Sequence, residues 1–109
     1  MNGLPPTLPE IAGIFGFLGN EQRLHILAAI AHKEKFAREI SEELNISRPL
    51  VVIYLKQSEK HGLVKGVDRR CDEPPYHRRY YRAQPFEFTL NLETLTQAER
   101  ESKNGKQTD

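Results

Sequence analysis

Two short amphipathic helices joined by a tight turn are the feature that most limits the folds open to this 109-residue chain. The apolar spacing within residues 36–44 predicts the first helix, whose opposite side is charged. Asn45 ends this helix, because asparagine tolerates the left-handed conformation of a tight turn. Ser47 then caps a second helix, and Pro49 is tolerated in its first turn. We therefore expect a helix pair joined by three or four residues.

A hairpin is predicted directly after the helix pair. Residues 63–67 and 80–82 favour two short strands, separated by a polar segment whose two prolines continue neither strand. Residues 86–92 alternate apolar and polar side chains, which is typical of a half-buried strand, and a brief helix is allowed from Glu93. Ahead of the pair, helices are expected over 10–18 and over 21–31.

These elements predict a mainly α-helical fold with a small β-wing, a winged helix-turn-helix of four helices, a β-hairpin and an extra C-terminal strand or short helix. The chain length suits one compact domain. We assign the segments as an irregular N-terminal lead-in (1–9), the winged domain (10–99) and a disordered tail (100–109). Within the domain they are the helix-turn-helix (36–61), the wing (63–82) and a C-terminal strand or dimer segment (86–99).

Basic charge is concentrated in the second helix of the pair and in the hairpin. The whole chain has a net charge of only +1. Residues 47–82 contain nine Lys or Arg against four Asp or Glu, a net of +5, whereas the remainder has seven against eleven, a net of −4. This distribution favours a nucleic-acid partner for the basic part.

Several classes of protein are disfavoured by the sequence. No apolar run approaches the length that crosses a bilayer, and residues 1–9 lack the pattern of a signal peptide, so we expect a cytoplasmic protein without a membrane partner. The single Cys71 allows no intramolecular disulfide. Since there is no phosphate-binding glycine loop, no nucleophile-base pairing and no cofactor motif, we expect neither an enzyme nor a cofactor.

The stretch from Ile40 to Lys56, followed by residues 59–64 (Glu-Lys-His-Gly-Leu-Val), resembles the helix-turn-helix of the ArsR-type regulators, especially their archaeal relatives. The resemblance runs from about Leu18 to Arg82. It implies a dimeric repressor whose second helix of the pair enters the major groove of double-stranded DNA. The metal-sensing members carry paired cysteines in the helix that corresponds to 36–44, and this sequence has none there, so that metal site is not expected.

The outward side chains of this second helix and the arginines of the wing are the predicted DNA contacts. They are Ser47, Arg48, Pro49, Val52, Ile53, Lys56, Gln57 and Lys60 on the helix, and Arg69, Arg70, Arg78 and Arg79 on the wing. The wing arginines are expected on the flanking backbone or in the minor groove. Family positions that are often Ser or His are apolar at 52 and 53, which favours contact with thymine methyl groups. The family also has a large apolar residue where this chain has Ser58, which predicts a thinner core.

The alternative for these charges is a solvated helix face, together with a mobile wing that its own acids, Asp68, Asp72 and Glu73, neutralise. A rival function is a winged-helix module that binds another protein within a transcription assembly. Cys71 with His77 suggests redox or metal sensing, against the commoner case of a lone exposed thiol. No small-molecule or metal effector is assigned.

A homodimer is expected from surplus apolar surface, because two-fold dimers are common and bind palindromic half-sites. The predicted interface comprises Ile11, Ile14, Phe15, Phe17, Leu18, Phe86, Phe88, Leu90 and Leu92. The alternating residues among them would suit pairing of an edge strand with a partner chain. The alternative is that these residues cover the domain's own core.

Overall fold

The computed structural model describes residues 3–107, and side chains within 3–103. Over this range it contains five helices and three strands. In chain order they are α1 (Leu8–Leu18), α2 (Glu21–Ala29), β1 (Lys35–Phe36), α3 (Ala37–Leu44), α4 (Arg48–Lys60), β2 (Val64–Arg70), β3 (His77–Ala83) and α5 (Leu92–Gln107). The chain divides into two compact units, a central one over Asn20–Gln84 and a second one formed by the segments on either side of it.

The central unit packs α2, α3 and α4 with a three-stranded antiparallel sheet of order β1-β3-β2. Its fully buried side chains come from all three helices and from the start of the hairpin, and they are Ile26, Ile30, Ile40, Val51, Leu55, Ser58 and Leu63. The pairing of Gly66 with Tyr81 and of Val67 with Tyr80 sets the hairpin register. The hairpin therefore projects from the same core that holds α4.

The turn between α3 and α4 follows the sequence prediction. Asn45 at the C-cap of α3 has φ of 54°, in the left-handed region, and Pro49 lies in the first turn of α4. Asn20 caps α2 by accepting a hydrogen bond from the backbone N–H of Arg23 at 3.2 Å. Ser47 holds the N-cap position of α4, as predicted, although its side chain makes no capping hydrogen bond.

The strands of the hairpin are longer than predicted, at seven residues each, and β1 was not predicted. The added residues are mostly polar and exposed, so no apolar alternation marks them. Cross-strand pairing, such as that of Lys35 with Tyr81, extends the sheet there instead. The extent of this wing depends on pairing across the fold.

The predicted strand over 86–92 is wrong, and so is the predicted disorder of the tail up to Gln107. Within the described range, residues 86–92 form no strand, and α5 begins at Leu92. Asn91 and Thr94 cap this helix reciprocally, with side-chain to backbone hydrogen bonds of 2.8 and 2.9 Å. Residues 108 and 109 of the predicted tail lie outside the described residues.

The second unit pairs α1 with α5. The hydroxyl of Ser102 in α5 accepts a hydrogen bond from the backbone N–H of Leu8 at 3.0 Å, and Ala98 is buried. Phe88 packs edge-to-face on Phe15, with 5.6 Å between the ring centroids. This packing gives Phe88 an intrachain partner other than a strand. None of the helices in the described part of the chain has the length and apolar character needed to cross a membrane.

Candidate nucleic-acid interface

Helix α4 presents one buried side and one exposed side. Val51, Leu55 and Ser58 are buried, and Tyr54 is half-buried. The Ser58 hydroxyl donates to the backbone carbonyl of Tyr54 at 2.7 Å, which satisfies a polar group inside the core. With its inner side held in the core, α4 has a defined outer side.

The predicted contact residues of α4 lie on that outer side. Ser47, Arg48, Pro49, Ile53, Lys56, Gln57 and Lys60 are exposed, and Val52 is half-buried. Ile53 keeps 49% of its surface exposed, a large value for an isoleucine. The Gln57 side chain accepts a hydrogen bond from Arg23 of α2 at 3.4 Å, so it lies on the edge of the exposed side that borders α2.

Three cations on α4 make no ion pair with any described residue: Arg48 in the first turn, Lys56 in the middle and Lys60 in the last turn. No acidic residue occupies the first turn of the helix. Since intrachain acids do not neutralise them, these three charges are available to an anionic partner. We name this set, Arg48, Lys56 and Lys60, the α4 cations.

Arg79 on the wing is half-buried and is paired with two carboxylates of the chain. Its guanidinium lies 2.7 Å from the Glu59 carboxylate on α4 and 3.1 Å from the Asp68 carboxylate on β2. The hydrogen bonds with Glu59 and then Asp68 raise the pKa of Arg79. Across the hairpin, a Cβ atom at Gly66 would come within 2.6 Å of Arg79 Nε, so glycine makes room for the guanidinium. Arg79 thus fastens the wing to α4.

Two further wing arginines also have intrachain partners. Arg69 pairs with Glu34, in the connection after α2, at 2.8 Å. The Arg78 guanidinium lies 4.7 Å from the Phe36 ring centroid and donates to the Pro74 carbonyl at 3.3 Å, and its hydrogen bond with Tyr80 raises its pKa. Arg70 is exposed and makes no ion pair with any described residue. Glu34 and Glu59, which the sequence reasoning missed, therefore decide how much of the wing's positive charge is left unpaired.

A cleft brings the first turns of α4 and the wing together. Its volume is about 350 Å³, and its lining includes Arg48 and Val52 of α4 with Arg78 and Arg79 of β3. Four of the predicted DNA-contact residues are thus neighbours around one concave surface.

The described part of the chain contains no group of three or more His, Cys, Asp or Glu side chains that could hold a metal ion. Cys71 is half-buried, with its sulfur 3.8 Å from the Tyr80 hydroxyl. His77, its suggested companion, lies at the start of β3 and is exposed.

The predicted dimer residues divide into buried and exposed ones. Ile11, Ile14 and Phe17 of α1 are buried within the single chain, at 5, 3 and 7% exposure. Phe15, Leu18 and Phe88 are half-buried. Phe86, Leu90 and Leu92 are exposed, with Leu92 at 82%. The apolar surface open to a second copy is therefore larger at 86–92 than on α1.

Residues 20–65 match the bacterial regulatory protein family arsR, a segment that runs from the cap of α2 into β2. Together with the fold, this match makes residues 20–65 similar to a winged helix-turn-helix regulator of transcription, and the arsR family is one of regulatory proteins and not of enzymes. The resemblance to the ArsR-type regulators is confirmed for this segment. No curated protein sequence matches the chain.

Solved structures share this fold at low sequence identity. The winged helix-turn-helix domain of Mb0332 from Mycobacterium bovis, described as homodimeric, DNA-binding and a possible ArsR-family transcriptional regulator, is 22% identical, covers 92% of this chain and 81% of its own, and has a TM-score of 0.57. An ArsR-like transcriptional regulator from Rhodococcus sp. RHA1 is 24% identical, with coverages of 90% and 81% and a TM-score of 0.54. Reduced HlyU from Vibrio cholerae is 20% identical, with coverages of 84% of this chain and 83% of its own and a TM-score of 0.54. These similarities confirm the predicted fold class.

Proposed function

We propose that this chain is a homodimeric repressor of transcription that inserts α4 into the major groove of double-stranded DNA. The observation that carries the proposal is the set of α4 cations, which lie on the exposed side of a helix anchored in the core and lack acidic partners among the described residues. Each such cation that neutralises a phosphate releases a counterion, which makes binding tight and salt-sensitive.

Sequence preference would come from the first turns of α4. Arg48 is exposed in the first turn, and Ile53 offers an exposed branched side chain about one turn later. Because an apolar side chain distinguishes thymine by its methyl group alone, the preference would be modest beside the affinity. Ser47, Pro49, Val52 and Gln57 complete the proposed surface of the helix.

Among the four predicted wing arginines, Arg70 would contribute most to phosphate binding. Arg69 and Arg79 are engaged by Glu34, Glu59 and Asp68, so each would have to leave an ion pair to bind a phosphate. Arg78 lies against Phe36, at the inner edge of the wing. The ion pairs of the wing would instead fix its angle to α4.

A dimer would be built from the exposed apolar residues of 86–92. The description of the Mycobacterium bovis domain as homodimeric supports this assembly for a chain of the same fold. Leu92 and Leu90, at 82 and 47% exposure, are the side chains with most to gain from burial. Two copies would then bind two half-sites of a palindrome.

Duplex DNA titrated in a gel-shift assay at two salt concentrations tests the central claim. We expect tight binding that weakens steeply with salt, and weaker binding with a smaller salt slope for Arg48→Ala and Lys56→Ala. An unchanged affinity and slope for both variants would show that this face is assigned incorrectly. No binding to duplex DNA at low salt would favour the rival function, a module that binds another protein.

Selection of bound fragments from genomic DNA would identify the site, and a palindrome is expected. Sedimentation at micromolar concentration should give a dimer that Leu92→Ser weakens. A reporter gene placed behind the selected site should be less active when the protein is present, and activation would contradict the repressor role.

A further inference from the structure

The cleft between α4 and the wing has the chemistry of a site for a small anion. Four arginines and His77 contribute to its lining, and none of its lining residues is acidic. Two of the arginines are neutralised within the chain, since Arg38 pairs with Glu42 at 3.1 Å and Arg79 pairs with Glu59 and Asp68. The positive charge that remains belongs to Arg48 and Arg78.

Neither of these two arginines pairs with an acid of the described chain. Besides its hydrogen bond with Tyr80, Arg78 donates from one terminal nitrogen to a neutral backbone carbonyl, that of Pro74, at 3.3 Å. Its Nε–H is buried and has no hydrogen-bond partner among the described residues. A buried donor without an acceptor is costly, and since this nitrogen is closed to solvent, a small shift of the Arg78 side chain toward an anion in the cleft would give it an acceptor.

The rest of the lining is apolar and partly aromatic. Phe36, Val52 and Pro75 contribute to the wall, and the Arg78 guanidinium already lies 4.7 Å from the centroid of the Phe36 ring. Guanidinium planes and aromatic faces both stack on a flat ring. The volume of about 350 Å³ lies at the small end of the range for small-molecule sites, which suits one ring rather than several.

We propose that this cleft binds a small aromatic carboxylate, with its carboxylate on Arg48 and Arg78 and its ring beside Phe36. Arginine forms charge-assisted hydrogen bonds to carboxylates, often two at once, and the wall would cover the ring. A consequence that rests on the proposed function is competition with DNA, because the anion would occupy Arg48, one of the α4 cations. The ligand would thus act as an inducer that releases the repressor.

Benzoate titrated into the protein tests the site, with binding followed by calorimetry and by the arginine Nε–H signals in NMR spectra. We expect saturable binding, weakened about tenfold by Arg48→Gln or by Arg78→Gln, since each removes one charge-assisted contact. The matched control is Arg82→Gln, which removes an exposed arginine from the same strand as Arg78 but outside the cleft, and it should bind benzoate as the parent chain does.

Acetate and inorganic phosphate are the comparison ligands. Acetate has the carboxylate of benzoate without its ring, and phosphate resembles the groups of DNA that the same arginines would also bind. Weaker binding of both ions than of benzoate supports the proposal. Phosphate binding as tight as that of benzoate would overturn it, as would a loss in Arg82→Gln equal to that in Arg78→Gln. Absence of saturable benzoate binding at millimolar concentration would also overturn it.

The variant Phe36→Leu tests whether binding in the cleft causes release of DNA. This variant keeps an apolar side chain at the position, so it should bind duplex DNA but lose most of the effect of benzoate on that binding. Failure of the two proposals can be told apart. A protein that binds benzoate but not DNA retains the site and refutes the repressor, and one that binds DNA but not benzoate does the reverse.

Discussion

The exposed side of α4 and the wing are both rich in basic residues, but only the wing pairs some of them with carboxylates of the chain. On α4, Arg48, Lys56 and Lys60 are exposed and have no ion pair with a described residue. On the wing, Arg69 and Arg79 each face at least one carboxylate within hydrogen-bonding distance. The number of arginines and lysines on a surface therefore does not give the charge that is available to DNA.

The difference separates two roles for a basic residue in a small domain. A cation without an intrachain partner adds to the attraction for phosphates, whereas a cation shared by carboxylates of two elements holds those elements together. Arg79 joins β3 to both α4 and β2, so the wing is tied to the helix by the charge that would otherwise be exposed. Substitutions on α4 should therefore change mainly the affinity for DNA and its salt dependence, whereas substitutions at the paired wing residues should change mainly stability.

The largest effect is expected when two α4 cations are removed together. The double variant Arg48→Ala with Lys56→Ala should bind duplex DNA about a hundredfold more weakly at low salt, and the slope of log affinity against log salt should fall by about 2. Gel shifts at several salt concentrations measure both quantities. The control double variant, Lys33→Ala with Lys103→Ala, removes the same charge elsewhere, and an equal loss there would show a net-charge effect.

A smaller effect is expected from Gly66→Ala, which acts on the wing through Arg79. The added Cβ would come within 2.6 Å of Arg79 Nε, so the guanidinium must move away from Glu59 and Asp68. We expect about 1 kcal/mol of lost stability, the low end for overpacking, because the displaced group is the flexible end of a side chain. Affinity for DNA should fall several-fold with little change in salt slope.

Gly13→Ala is the matched control for that substitution. Its added Cβ meets nothing within 4 Å and lies in α1, so it should raise the free energy of unfolding by about 0.5 to 1 kcal/mol. Denaturant unfolding measures both variants. If Gly66→Ala were as stable as the parent chain and bound DNA equally well, Arg79 would not be what fastens the wing to α4.

A still smaller effect is expected from Arg69→Ala. Because Arg69 is engaged by Glu34 at 2.8 Å, its removal should change DNA affinity less than about twofold and the salt slope by well under 1. Arg70→Ala, at the next position along β2, is the comparison and should lower the slope by about 1. If Arg69→Ala lowers the slope as much as Arg70→Ala does, the two arginines contribute equally to DNA binding, and pairing with Glu34 makes no difference.

The smallest effect at neutral pH concerns Tyr81, beneath the Arg79 guanidinium. Burial raises the pKa of the Tyr81 hydroxyl above its ordinary value of about 10. The unfolded chain then ionises first, so the stability contributed by the neutral phenol is complete below pH 10 and is lost as pH rises through the folded pKa. Alkaline unfolding curves should show this loss, and Tyr81→Phe should reduce it. An unchanged pH dependence in the variant would contradict this origin.

Much of the central unit was predictable because its signals are local. The left-handed Asn45, the proline in the first turn of α4 and the buried positions Val51 and Leu55 all follow from residues within a few positions of one another. The prediction of a strand over 86–92 was wrong because alternating apolar and polar residues allow strand pairing but do not provide a neighbouring strand. In the structure Phe88 packs on Phe15, and a reciprocal cap at Asn91 starts a helix.

The sequence by itself determined where α4 begins, which of its sides enters the core and which basic residues lie on the other side, because helical periodicity needs only neighbouring residues. Only the tertiary structure decided which arginines are engaged. Glu34 is 35 positions from Arg69, and Glu59 is 20 positions from Arg79. No local pattern connects such residues, since their carboxylates reach the wing only after the hairpin has folded beside the helices.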